Sequence, residues 1–339
     1  MTTNLALTQQ ERRLIQDAYR IDGNLLRLDS DQTARLKREL EAIDAEAYRI
    51  EYGQLKARNL VPLQPNIPDW ARQYTWRMFD HTGKPRVIGN KAKDLPTVNV
   101  KAEEESKNIY TLGQAAEWDR EEVRAALYNG QPIDGELAIA ARDTIEREID
   151  DILAVGHSGP DMDGILTLST SDVTTYTPAD KDGGSSSPNW FNGSGNLIAT
   201  AEEMADDVLG LVDAVVDATD ELYTGFVVVL PLAHYRALQR TPKGDNADRT
   251  VLRYIQENGD NISRIVPWSK CKNVAGSSDE NRMACWPDGN RRVVAGIVPM
   301  EFTPLEVQMQ GLAYIRPYIA KTAGVVARYP VAIGYADDI

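Results

Sequence analysis

The stretch from Trp70 to Leu168 constrains the fold most, because it reads as an exposed arm followed by a long helix. From Arg72 to Asn99 the residues make two extended legs around a polar turn at His81-Thr82-Gly83. Tyr74 to Phe79 alternates aromatic and polar residues, the pattern of a strand. The return leg runs through Val98 to Val100 and on from Ile109 to Leu112. The far part carries four cations, Lys84, Arg86, Lys91 and Lys93, and no anion. Its few apolar residues, such as Val87 and Ile88, cannot build a core of their own. Asp134 to Val155 then forms an acidic amphipathic helix stopped by Gly156, a rod of about 30 Å. An arm that cannot bury itself, beside a rigid rod, points to a subunit that lies across its neighbours. It points to an assembly rather than a catalyst.

The helix has two chemically different faces. Leu137, Ala138, Ala141, Ile145, Ile149 and Ile152 recur at helical spacing and make the apolar stripe. Arg142, Asp143, Glu146, Arg147, Asp150 and Asp151 lie off it and read as a solvated face. Upstream, Thr8 to Glu11 has capping-box spacing, and Leu36, Leu40, Ile43, Ala47 and Ile50 mark a second helix opening at Ser30 or Asp31. Pro62, Pro65 and Pro68 separate these from the body. Downstream, Ser169 to Asn196 is a long polar loop, rich in Ser, Thr, Gly and Asp, with the composition of partial disorder. A capping box at Thr200 to Glu203 opens a helix that buries Met204, Val208, Leu211, Val212 and Val215. Phe226–Leu230, Ile262–Val266, Arg282–Trp286 and Arg291–Ile297 read as strands, with a helix over 249–258 stopped by Gly259. Strand-like alternation returns at Val307 and Met309, at Tyr314–Ile319 and at Val325–Tyr335. The sequence predicts an α+β fold.

Charge decides between partners more than total composition does. The 339 residues carry a net charge of −14, which argues against a dedicated nucleic-acid binder. The charge is −8 over residues 118–168 and −10 over 169–225, against +1 over 69–117. No apolar run approaches the ~20 residues of a membrane span, and the first residues lack a signal-peptide pattern. Cys271 and Cys285 lack zinc-site spacing and read as free thiols.

The search for catalytic chemistry returns little. His81, His157 and His234 lie in three different segments, none with a partner at metal-ligand spacing, and read as surface or turn histidines. There is no Gly-x-Ser-x-Gly elbow and no phosphate loop. Asp161-Met162-Asp163-Gly164 starts like a calcium loop but lacks the later ligands. Adjacent acids such as Asp150-Asp151 do not face each other on a helix.

The order of parts resembles the major capsid protein of tailed bacteriophages, with its Hong Kong-type shell fold. Tyr74-Thr75-Trp76-Arg77 with Asp80 and Gly83 is similar to the outgoing strand of that family's extended loop. Asp94-Leu95-Pro96 with Val98 and Val100 is similar to its return. Ala140-Ala141-Arg142 with Ile145-Glu146, then Gly156 and Gly164-Ile165-Leu166, resembles the spine helix and its exit. Arg328-Tyr329-Pro330 through Asp338-Ile339 resembles the final strand. Thr167 stands where an asparagine is common in the family, and the Ser/Gly-rich loop at 181–195 looks inserted.

The resemblance implies an N-terminal arm (1–68) and an extended loop (69–117). It implies a peripheral domain with the spine helix at 134–155 (118–196 with 300–339) and an axial domain (197–299). It implies a structural subunit, without catalytic residues, metal or cofactor, that assembles as hexamers and pentamers into an icosahedral shell around double-stranded DNA. Portal, scaffolding or decoration proteins are its partners by the same resemblance. Its place is the virion, after assembly in the host bacterial cytoplasm. Expected contacts between subunits join Lys84, Arg86, Val87, Ile88, Lys91 and Lys93 of the arm tip to Glu146, Asp150 and Asp151 of a neighbour's spine. An encapsulin-like nanocompartment shell is the nearest competing reading. A soluble hydrolase with its carboxylates in 134–163 is the competitor of another class.

Overall fold

The computed structural model describes residues 53–84, 97–129, 134–160, 162–181, 187–244, 249–274 and 281–339. The two helices expected before residue 53, and the arm-tip residues Arg86, Val87, Ile88, Lys91 and Lys93, lie outside the described residues. The first described helix is one short turn, α1 (Ala57–Leu60), whose Ala57 and Leu60 are buried.

A ten-residue antiparallel hairpin follows, β1 (Gln73–Thr82) on β2 (Asn99–Asn108), in register from Gln73↔Asn108 to Thr82↔Asn99. Alternation places Tyr74, Trp76 and Met78 inward, with Trp76 buried against Ile297, Ala323 and Val326. From Phe79 outward every described residue of both strands is exposed. The hairpin therefore leaves the body at mid-length. His81 and Thr82, expected in the turn, are instead paired with Val100 and Asn99 inside the ladder. β3 (Tyr110–Asp119) continues the chain but changes sheet. It pairs along its whole length with a later strand of the body, so Ile109–Leu112 is not the hairpin's return leg as the sequence suggested.

α2 (Arg120–Asn129) and the spine helix α3 (Asp134–Val155) come next, α3 with the bounds read from sequence. Ile145, Ile149, Ile152 and Leu153 are buried, whereas Leu137 and Ile139 near its start are exposed. The exit is a tight knot. Gly156 has φ +77°, β4 (Gly156–His157) pairs with β5 (Met162–Asp163), and a side chain on Gly164 would meet the Gly156 nitrogen at 2.3 Å. Only glycine fits a backbone packed this closely on backbone. Thr167, the family departure, donates its hydroxyl to the Val155 carbonyl at 2.7 Å and closes the helix end.

The second half is a five-stranded sheet backed by helices. Its strands are β6 (Thr174–Tyr176), β7 (Phe226–Leu230), β8 (Ile262–Pro267), β9 (Arg282–Pro287) and, from the far end of the chain, Gly334–Asp337. The helices are α4 (Ala201–Ala218), with the expected capping box at Thr200, α5 (Leu232–Arg240) and α6 (Val251–Asn258). β7 is buried throughout and feeds two cores. Phe226, Val228 and Leu230 pack with α4, α5 and α6, whereas Val227 and Val229 join the core that holds α3. The polar stretch 169–196 is more ordered than its composition predicted in its described parts. It contributes β6, a fully buried Trp190 and a buried Lys181.

β10 (Val294–Ile297) pairs with β14 (Gly324–Ala327), while β11 (Met300–Pro304) and β12 (Gln308–Gln310) both pair with β13 (Ala313–Thr322), the partner of β3. The alternation at 325–335 is not one strand. Pro330, lacking an N–H, starts a short 3₁₀ turn, and the chain resumes as β15 (Gly334–Asp337) in the five-stranded sheet, order β6-β15-β9-β7-β8. Sheet pairing joins segments on either side of residues 196/197 and 299/300: β6 and β15 lie in one sheet with β7, β8 and β9, and β10 pairs with β14.

Candidate assembly surface

Among the described residues the hairpin is tied to the body at its base, and each tie is specific. Ile109 donates its N–H to the Arg72 carbonyl at 2.9 Å and closes the ladder. Lys107 of β2 forms an ion pair with Asp163 in the spine-helix exit. Arg328, just past β14, donates to the Tyr74 hydroxyl at 2.7 Å and to Gln64 at 3.3 Å. Lys321 donates to the Asp69 carbonyl at 2.6 Å. Beyond these ties Phe79 is 62% exposed and Val98 75%. A strand pair so far outside a core gains little from its own hydrogen bonds in water, and its apolar residues call for a surface on another molecule.

The predicted contact residues are placed unevenly. Lys84 is exposed just past the end of β1. Glu146 is half-buried and accepts from Arg142 Nε at 2.8 Å, an i,i+4 pair along α3. Asp151 pairs with Lys270 at 2.5 Å and keeps about half its side chain in water. Asp150 departs from the expected solvated face. It is buried beneath α1 and accepts the Ala57 N–H at 2.8 Å, supplying from another element the acceptor that the start of α1 lacks. Burial holds its carboxyl above the usual range, against the pull of the Ala57 N–H. Arg142 and Asp143 remain exposed. A single amphipathic stripe along α3 does not anticipate a second element packing across the helix beside Ile149 and Leu153.

Two buried polar clusters were not anticipated by sequence reasoning, and a third buried group, His234, was expected at the surface. Arg282 grips Asp337 through two hydrogen bonds of 2.5 and 2.8 Å, donates to the Leu166 carbonyl at 2.5 Å and lies 4.4 Å over the Tyr335 ring. Tyr335 donates to the Ile165 carbonyl at 2.5 Å, so the spine exit and the last strand are clamped together. Lys181 and Trp190 both donate to Asp207 Oδ2, each at 2.6 Å. His234, expected at the surface, is buried because α5 turns it inward, where it contacts the Ile339 carbonyl at 2.9 Å. No local pattern marks these pairings; their partners lie from 17 to 170 positions away.

Among the described residues no group of three or more His, Cys, Asp or Glu is placed to hold a metal. Asp163 is taken by Lys107, and His157 accepts from the Gly159 N–H at 3.1 Å. Both cysteines are free and buried, and burial pushes the Cys285 thiol up to about 12. No helix among the described residues is long and apolar enough to cross a membrane.

A projecting hairpin pinned at its base, a spine helix with a knotted exit and a sheet completed by the last strand make an α+β shell subunit of the Hong Kong type. Solved structures agree on the fold. The capsid of Myoviridae phage XM1 superposes with a TM-score of 0.72 at 18% identity, over 89% of this chain and 98% of that one. The capsid of a native GTA particle gives 0.61 at 12% identity, over 91% and 99%. A virus-like particle from Pyrococcus furiosus gives 0.51 at 14%, over 82% and 90%. No curated protein matches the chain. The chain belongs to the major capsid protein family, whose model matches residues 83–339, and it is a structural subunit of a capsid.

Proposed function

We propose that this chain assembles as hexamers and pentamers into an icosahedral shell that encloses double-stranded DNA, and that it carries no catalytic activity. The observation that carries the reading is the hairpin. Its outer half projects without a core of its own, and a fold that makes such an element needs a neighbouring copy to cover it. Acid spread over residues 118–225 suits a lumen to which packaged DNA does not adhere. The arm-tip cations Lys84, Arg86, Lys91 and Lys93, with Val87 and Ile88, reach a neighbour's spine and pair with Asp151 and Glu146, whereas Asp150 stays within its own subunit. Assembly takes place in the bacterial cytoplasm, with portal and scaffolding proteins as partners.

Electron microscopy of the purified chain tests the shell. Closed particles of megadalton mass are the expected result, and a monomer or small oligomer under all conditions refutes it. Nuclease treatment of particles purified from infected cells tests the cargo. Protected double-stranded DNA is expected, and a protein cargo in its place identifies a nanocompartment.

A further inference from the structure

Four arginines from three parts of the chain line one open cleft of about 550 Å³ beside the hairpin base: Arg77 on β1, Arg291 and Arg292 ahead of β10, and Arg328 after β14. Among the described residues no carboxylate lines it. Arg77 pairs across the hairpin with Glu104. Among the described residues the Arg328 guanidinium is hydrogen-bonded only to neutral acceptors, the Tyr74 hydroxyl, Gln64 and the Arg291 carbonyl. Arg291 and Arg292 are exposed, and among the described residues neither guanidinium has an ion-pair partner. Three guanidinium groups without an ion-pair partner among the described residues thus line one cleft in a chain whose net charge is −14. Holding like charges together is unfavourable in the isolated subunit and is relieved when anions dock between them.

We propose that this cleft is a docking site for carboxylates on a second copy of the chain. The inference rests on the shell reading and names a contact that reading does not. Guanidinium forks suit carboxylate and phosphate alike. Two features favour protein over nucleic acid. Phe79 and Tyr329 on the cleft walls are 62% and 49% exposed, and such rings are covered by the apolar part of a protein surface. The chain also supplies the anions itself, 51 Asp and Glu in every copy. One wall of the cleft is β1, so a docked copy would also brace the hairpin as it leaves the body.

Two variants of the full-length chain test this, with near-ultraviolet circular dichroism to verify that subunits fold. Arg291→Glu with Arg292→Glu is expected to abolish closed particles while leaving the subunit folded. Arg291→Lys with Arg292→Lys keeps the charges and adds amines that a carbodiimide couples to carboxylates at contact distance. Particles built from mixed light and ¹⁵N-labelled copies of the lysine variant should then give mixed-label peptides joining position 291 or 292 to an Asp or Glu. Particles without any mixed-label link overturn the inference, as does normal particle yield from the glutamate variant. If that variant closes normally but retains less nuclease-protected DNA, the cleft holds phosphate and the inference is wrong. A wild-type chain that forms no particles under any condition overturns the shell reading and this inference together.

Discussion

His234 has one ring nitrogen on the Ile339 carbonyl and the other, Nδ1, buried with no partner among the described residues. Trp190 and Phe191 flank the ring at 5.2 and 5.0 Å. Burial lowers its pKa to about 4 from the ordinary 6.5, with the Ile339 contact pulling weakly the other way. The unfolded chain therefore takes up a proton near pH 6.5 that the folded chain refuses until about pH 4. Stability is full above pH 6.5 and falls between 6.5 and 4 by roughly 3 kcal/mol from this group. Asp150 and Asp207, whose carboxyls burial holds above their usual range, act in the opposite sense. Comparing urea midpoints at pH 7 and 4.5 for wild type and His234→Gln isolates the histidine. The variant should show the flatter pH dependence, and equal slopes would assign the acid sensitivity elsewhere. On α3, Ile145→Asp places an unpaired carboxylate in the core and should lower stability by about 4 kcal/mol, whereas Asp143→Ala should change it by less than about 0.5 kcal/mol. Chemical denaturation of both variants checks the orientation of the helix.

The hairpin and the spine were the elements most legible in the sequence, and the reason is local. Period-two aromatics from Tyr74 to Phe79, and apolar residues from Ala141 to Ile152 at helical spacing, report on their own backbone. The turn knot was legible only as glycines, since the collision that forbids a side chain at Gly164 comes from Val155 and Gly156 after the chain has doubled back. Gly164→Ala should therefore cost about 3 kcal/mol or more, read as a fall in thermal midpoint. What the sequence could not supply were pairings set by distant partners: β6 beside β15, Asp150 beneath α1, and Arg282 on Asp337. The candidate site shows the same division, for the exposed Lys84 was readable while the four-arginine cleft gathers residues from positions 77 to 328. Deleting Lys84 to Lys93 should leave a subunit with normal circular dichroism but few closed shells, and unchanged shell yield would remove the arm from assembly. Reversing Lys91 and Lys93 to Glu should block assembly, and adding Asp151→Lys should restore part of it. Light scattering across a salt series reads both effects.

At the scale of the molecule, two cores share one sheet, and β7 divides its side chains between them. The hairpin base is tied to this body through Lys107, which pairs with Asp163 at the helix exit, and through Arg328, just past β14. Removing residues 334–339 should leave no folded subunit at all, since β15 sits between β6 and β9 and its loss splits the sheet. Limited proteolysis of the truncated chain would show this as loss of any resistant fragment. The clamp from Tyr335 to Ile165 spans 170 positions, and Trp286 reaches the Leu60 carbonyl across 226. During synthesis the hairpin therefore leaves the ribosome long before the sheet that anchors its base can close. β15 is the last strand to be made, so the five-stranded sheet is complete only once Gly334–Asp337 has been synthesised.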